Sequence, residues 1–172
     1  MELLALIILA FQGSLEFLGN TSFWQSLTEE WQIIANSRAL LLLGVSALCG
    51  AMVGLEREHA SKPAGLRTNI MISVGSCLFT IASIYAWQFV AGSASTSDPS
   101  RIAAQIVTGV GFIGAGVIIK TGSHVHGITT AATIWTVASI GLLVGLGFPL
   151  FGLLASVLVS ATLFGLGQFS RN

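Results

Sequence analysis

The 172-residue chain carries 7 Lys and Arg and 7 Asp and Glu, and they are unevenly placed. Glu56, Arg57, Glu58 and Lys62 fall in one short run, and Arg67, Thr68 and Asn69 come soon after it. Carboxylates and guanidinium groups this close form ion pairs, anchor a chain at a membrane surface or recognise a polar partner. Glu56 directly continues an apolar run, so its charge sits at the edge of hydrocarbon and needs a basic partner there, with Arg67 the expected one. Thr129 and Thr130 come after Gly127 much as Thr68 comes after Gly65, so Glu56, Arg57, Glu58, Arg67, Thr68, Asn69, Thr129 and Thr130 are predicted to form one functional cluster.

A second set lies inside an apolar stretch, where Arg101, Gln105 and Thr108 precede or accompany Gly109, Gly111, Gly114 and Gly116. Polar groups at depth must find partners, because lipid offers none. Ala104, Thr108, Gly111 and Ala115 recur at helical spacing, which predicts a close helix–helix seam at the centre of a bundle. The alternative is that these residues line an ion path. Asp98-Pro99-Ser100 reads as the start of the helix that carries them. His124-x-His126 with His59 beside carboxylates could be assembled into a transition-metal site, but the spacing is not a specific signature, and for magnesium only Glu56, Glu58 and Asp98 offer charged oxygens near the spans. There is no nucleophile–base pair, no phosphate cradle and no HExxH. No catalysis, metal or cofactor is expected.

The elements that position these residues are set by composition. Hydrophobic residues make up 53% and charged residues 8%, with a mean hydropathy of +0.86 and no net charge. A soluble domain carries roughly 25% charged residues. A soluble enzyme, a disordered chain and a nucleic-acid binder are therefore excluded, and an all-α, polytopic transmembrane helical bundle is expected. Five runs are long enough to cross the hydrocarbon: Ala39–Leu55, Thr68–Val90, Ile102–Ile119, Ile128–Phe148 and Leu150–Gly167. Leu3–Leu18 is expected to add an N-terminal span, and Ser22–Asn36 an amphipathic interfacial helix, so residues 1–37 stand apart from 38–172. Cys49 and Cys77 read as free, packed thiols.

Lys and Arg set the orientation. The loop Glu56–Arg67 with Arg57, Lys62 and Arg67, the loop Thr121–Gly127 that follows Lys120, and the C-terminus with Arg171 are expected to be cytoplasmic. Two stretches also look alike: Gly50-Ala51-Met52-Val53 answers to Gly114-Ala115-Gly116-Val117, and Gly65-Leu66-Arg67-Thr68 to Gly127-Ile128-Thr129-Thr130, offset by 62 to 64 residues. Units at about 37–90 and 100–148 are read as a parallel internal repeat of two helix pairs, with a final helix at 150–167.

Three segments carry a family resemblance. Gly54-Leu55-Glu56-Arg57-Glu58 with Ala64-Gly65-Leu66-Arg67-Thr68-Asn69, then Arg101 to Gly116, then Gly127 to Trp135, resemble in order the signatures of the MgtC/SapB membrane proteins. The resemblance implies a bacterial inner-membrane protein linked to magnesium limitation and to survival inside host cells. It implies a regulator of other membrane proteins, the ATP synthase among them. The virulence-factor branch adds a soluble C-terminal domain, whereas this sequence stops at Asn172. That branch also has Asn and Cys where His124 and Thr136 stand here. Expected partners are the lipid bilayer, another membrane protein and, as an alternative, a second copy of the chain; nucleic acid is not expected. The competing function is a small transporter or channel for magnesium or another cation.

Overall fold

The computed structural model describes residues 25, 38–91, 98 and 100–169. The expected span Leu3–Leu18 and, apart from Gln25, the segment Ser22–Asn36 lie outside the described residues. Leu41–Asn172 is one compact unit. The helices and strands of the described chain are α1 (Ala39–His59), α2 (Leu66–Ala91), α3 (Ser100–Val117), a hairpin of β1 (Ile119–Thr121) and β2 (His124–His126), α4 (Ile128–Gly145) and α5 (Pro149–Phe169).

Four helices are long and apolar enough to cross a membrane by length and composition: Ala39–His59, Leu66–Trp87, Ile128–Gly145 and Pro149–Gly167. The third expected span falls short of this measure, because the apolar part of α3 is Ala103–Val117. Its expected end, Ile119, belongs to the hairpin instead, where Ile119 pairs with His126, Lys120 with Val125 and Thr121 with His124. β-Branched Ile119, Thr121 and Val125 favour extended backbone, and Gly122 takes the positive φ of +61° that the turn requires. The expected open loop Thr121–Gly127 is therefore mostly strand and turn.

Helix ends obey local backbone rules. In α1 the Ser61 N–H donates to Glu58 O at 3.0 Å and the Lys62 N–H to Arg57 O at 3.0 Å, with Ser61 at φ 54°. Gly147 at φ 95° closes α4 the same way, with its N–H on Val144 O and that of Phe148 on Leu143 O. This left-handed closure satisfies carbonyls that helix ends otherwise leave unpaired. The expected Glu56–Arg67 loop is consequently shorter: α1 runs through His59 and α2 begins at Leu66.

Contacts that only glycine permits hold the bundle together. A Cβ on Gly50 would sit 2.6 Å from Asn69 O, and one on Gly54 2.7 Å from the Leu66 Cα, so α1 and α2 touch backbone to backbone in antiparallel sense. Gly141 faces the Ser73 carbonyl and Gly145 the Cys77 carbonyl, so α2 and α4 run parallel. Gly127 lies against the Val117 carbonyl, and Gly114 packs on Ala131 at ordinary contact distance, making α3 and α4 antiparallel. Gly152 of α5 meets Val144 of α4 and Cys49 of α1. Lipid tails are as apolar as Leu, so close packing of this kind drives association in a bilayer.

The interior has two apolar clusters. One joins Ala64, Ile106, Val110, Ile134 and Ala138, the other Cys49, Cys77, Ile140 and Val144. Both cysteines are free and buried. α2 also carries a row of small polar side chains, namely Asn69, Ser73, Ser76, Thr80 and Ser83, all buried. The Ser73 and Ser46 hydroxyls share a hydrogen bond at 2.9 Å, and Thr80 returns its hydroxyl to Ser76 O at 2.8 Å.

Candidate functional site

The last turn of α1 and the first turn of α2 build a polar corner. Arg57 is buried, and it pairs with Glu56 through two bonds, Nε to Oε2 and Nη2 to Oε1, the latter at 2.7 Å. A guanidinium taken out of water needs a carboxylate, and the fork geometry of Arg suits both carboxylate oxygens. This corrects the expected Glu56–Arg67 pair. Arg67 lies at the start of α2 and is exposed to solvent or headgroups, while buried Arg57 is the cation with the greater need of Glu56.

Glu58 has a different task. Its Oε2 accepts the Leu66 backbone N–H at 2.8 Å, so a side chain from α1 caps the first free donor of α2. Gly65 makes room for it, since a Cβ there would lie 2.9 Å from Glu58 Oε2. Asn69 donates from Nδ2 to Ala64 O and Gly65 O, both at 2.8 Å, and tethers the loop to the helix. Its Oδ1 is buried without a partner among the described residues. Thr68 is exposed beside Arg67. His59 bonds through Nδ1 to Leu55 O at 2.8 Å.

The matching end of the second half is plainer. Gly127 holds a φ of 90° and its carbonyl accepts the Ala131 N–H at 2.8 Å, as the Gly65 carbonyl accepts that of Asn69 at 3.2 Å. Both glycines thus cap a helix that begins at the next residue. Thr130 is buried and Thr129 exposed, and among the described residues no hydrogen bond or ion pair joins either to Glu56, Arg57 or Glu58. The eight-residue cluster therefore divides into an α1–α2 corner and a separate start of α4. His124 and His126 stack at 6.5 Å on β2, and among the described residues no three His, Cys, Asp or Glu side chains are placed to hold a metal.

α3 differs most from expectation. Ala104, Thr108, Gly111 and Ala115 are the predicted central seam, yet all four are exposed, and nothing would meet a Cβ on Gly111. The same openness holds at Gly109 and Gly116. The buried face is Ile106, Val110 and Gly114, one side of the helix turned onto α4. Packing is set by the bulky residues, which fill space against Ile134 and Ala138, and of the span's glycines only Gly114 is enclosed. Gln105 borders an open groove of about 580 Å³ between α2 and α3, with Met71, Phe79 and Ile113 among its lining. Arg101 is exposed on the first turn, next to Asp98. The Asp98 carboxylate accepts the Ser100 N–H at 2.8 Å, and this bond holds its pKa below the ordinary value. The buried polar row of α2 escaped sequence reasoning, although Asn69, Ser73, Ser76, Thr80 and Ser83 repeat at spacings of four and three.

Comparison with known proteins places this geometry. The pattern of the MgtC family matches residues 43–172. The chain is similar to SapB of Bacillus subtilis, 48% identical over 125 residues that make up 70% of this chain and 54% of SapB. It is similar to YhiD of Escherichia coli K12, whose name puts it forward as a magnesium transporter, at 48% over 118 residues, 68% of this chain and 54% of that one. MgtC of Salmonella typhimurium LT2 is 42% identical over 120 residues, 70% of this chain and 48% of that protein. The chain spans about half the length of these relatives. No solved structure matches it.

Proposed function

Because this chain belongs to the MgtC family, we propose that it is a non-enzymatic membrane protein that regulates other membrane proteins under magnesium limitation. Its apolar helices and family make it a multi-pass membrane protein. The magnesium link rests on the family and on the name carried by YhiD. One observation favours regulation over transport. Thr108 faces outward from α3, Gln105 borders a groove that is open to the outside, and the seam between α2 and α4 is closed by backbone contact at Gly141 and Gly145.

The finer architecture belongs to the same reading. α3 crosses the membrane with the other four, since it packs antiparallel along α4. The two helix pairs form a parallel repeat: Gly50 faces Asn69 as Gly114 faces Ala131, at offsets of 64 and 62 residues, and Gly65 and Gly127 cap the second helix of each pair. The α1–α2 corner and the hairpin face the cytoplasm of a bacterial inner membrane, where the exposed Glu58, Arg67 and Thr68, with Thr129, form the surface read by a partner protein and the Glu56–Arg57 pair, its guanidinium buried, holds the corner beneath it.

A transport reading draws support from the buried hydroxyl row of α2 and the unpaired Asn69 Oδ1. Flux separates the two. Liposomes holding only this protein should take up magnesium and protons no faster than empty ones; uptake that depends on Ser73 or Asn69 would overturn the regulatory reading. Cysteines placed at Ser61 and Ser123 should resist an impermeant thiol reagent in intact cells, and labelling of either from outside would reverse the orientation.

A further inference from the structure

We propose that the β1–β2 hairpin is a lipid-binding element, which lies in the headgroup layer and holds the phosphate of an anionic phospholipid with Lys120, His124 and His126. Its place follows from the helices that carry it. Gly127, which caps α4, packs on the carbonyl of Val117, which closes α3, so the two helix ends stand at one level. Strands of three residues reach about 10 Å from there. The headgroup layer is ~5–8 Å thick on each side of the hydrocarbon. Upright or folded over, most of the hairpin therefore lies among headgroups.

The composition fits the same place. Ile118, Ile119, Val125 and Ile128 are between 43% and 61% exposed. Four β-branched apolar side chains left open beside cations suit neither water nor hydrocarbon alone, and they suit the boundary between the two. Strand pairing sets Ile119, Thr121, His124 and His126 on one face, with Lys120 and Val125 on the other. Ile119 enters the acyl boundary from the first face, while Lys120 snorkels to phosphate on its long stem.

Charge identifies the occupant. Residues 99–172 hold no Asp or Glu. Among the described residues Lys120, His124 and His126 make no ion pair, and the one side-chain bond of the three joins His124 Nδ1 to Ser123 Oγ at 3.4 Å. The element packed on β2 is β1, which faces the imidazoles with Ile119 and Thr121. Neither Val117 and Ile118 before the hairpin nor residues 128–130 after it carry a titratable group. The two rings are nearly parallel, 17° apart in plane, with centroids at 6.5 Å. One phosphate can accept an N–H from the edge of each ring while Lys120 adds its charge. An acidic protein segment would meet the charges, but at this depth lipid phosphate already lies against them. Histidine takes its proton between pH 5 and 8, so binding strengthens as pH falls. The inference rests on α3 and α4 both reaching one membrane surface, and it holds for a regulator or a transporter.

Depth-dependent quenching tests it. The full chain, with a fluorophore on Ser123→Cys, is placed in nanodiscs that carry spin-labelled lipid; the native Cys49 and Cys77 are buried. Phosphatidylglycerol labelled at the upper end of its acyl chain should quench more than phosphatidylcholine labelled there. This preference should grow several-fold from about pH 7.5 to about pH 5.5. Lys120→Gln should lower it by up to about fivefold at both pH values, the worth of one cation near an anionic surface. His124→Gln with His126→Gln should abolish the growth on acidification and leave the rest, and Arg67→Gln on the α1–α2 corner should change nothing. All these positions are exposed, so each variant should unfold in detergent like the parent. The proposal is overturned by equal quenching from the two lipids, by a preference that still grows with acid in the double histidine variant, or by Arg67→Gln acting as strongly as Lys120→Gln. A label that neither lipid quenches overturns it too and leaves the hairpin to a partner protein. Stronger quenching from lipid labelled at the chain end would place the hairpin in hydrocarbon, and in that case alone the crossing of α3 falls with the proposal.

Discussion

Adding one methyl group at Gly141 should do more damage than the same addition anywhere on α3. The new Cβ would lie inside contact distance of the Ser73 carbonyl oxygen, 2.9 Å from its carbonyl carbon and 3.0 Å from its Cα. These atoms are helix backbone, so relief requires α2 and α4 to separate by about 0.5–1 Å, a gap that forfeits a quarter to a half of each van der Waals well along the seam. A buried aliphatic side chain makes about 40 contacts of ~0.1 kcal/mol, so a quarter lost costs ~1 kcal/mol per side chain. Val137 and Val144, both 0% exposed on α4, and Ser73 and Cys77, also 0% exposed on α2, bring the loss to ~4 kcal/mol. Replacing a helical glycine returns ~1 kcal/mol, leaving Gly141→Ala ~3 kcal/mol less stable. Gly111→Ala meets nothing within 4 Å and should gain up to ~1 kcal/mol. Unfolding by heat or by SDS in mild detergent micelles measures both. If Gly141→Ala unfolds together with Gly111→Ala, the backbone contact of α2 with α4 is not what holds the bundle.

Other outcomes concern the polar corner and the helix ends. Glu56→Gln should destabilise by about 3 kcal/mol, because it strands the buried Arg57, while Arg67→Ala should stay within about 0.5 kcal/mol; joining Glu56→Arg to Arg67→Glu should rescue nothing, and unfolding titrations of the four proteins decide. Ser61→Gly should raise stability by about 1 kcal/mol in the same assay, since Ser61 holds a left-handed φ of 54° that glycine adopts without strain. Asp98 has a lowered pKa in the folded chain, so its stabilisation is complete above its unfolded pKa and is lost as pH falls through the folded one. Hydrogen exchange at Ser100 should therefore show added opening on acidification below the ordinary carboxylate range, and Asp98→Asn, which caps without titrating, should abolish that acid dependence.

Composition alone set the class of molecule, because 8% charged residues cannot cover a soluble surface and apolar runs of span length have few other uses. The glycine signals at Gly65 and Gly127 were legible for a similar reason: a glycine before a helix is a local backbone event, and local events are written in local sequence. Contact faces were not legible. A helix that is apolar all round gives no periodic sign of which side meets protein and which meets lipid, since hydrocarbon is as apolar as the core. On α3 the small residues promised a central seam, yet Gly114 is enclosed and Gly111, three residues earlier, is open. Only the fit of Ile106 and Val110 against α4 decided that. Glu56 likewise had several basic residues within reach of any reading. The tertiary structure chose Arg57, because burial sets which cation most needs a counter-charge, and burial depends on every helix at once. The hairpin at Ile119–His126 shows a third limit: apolar β-branched residues at the end of a span serve helix or strand equally, and the turn at Gly122 settled the choice.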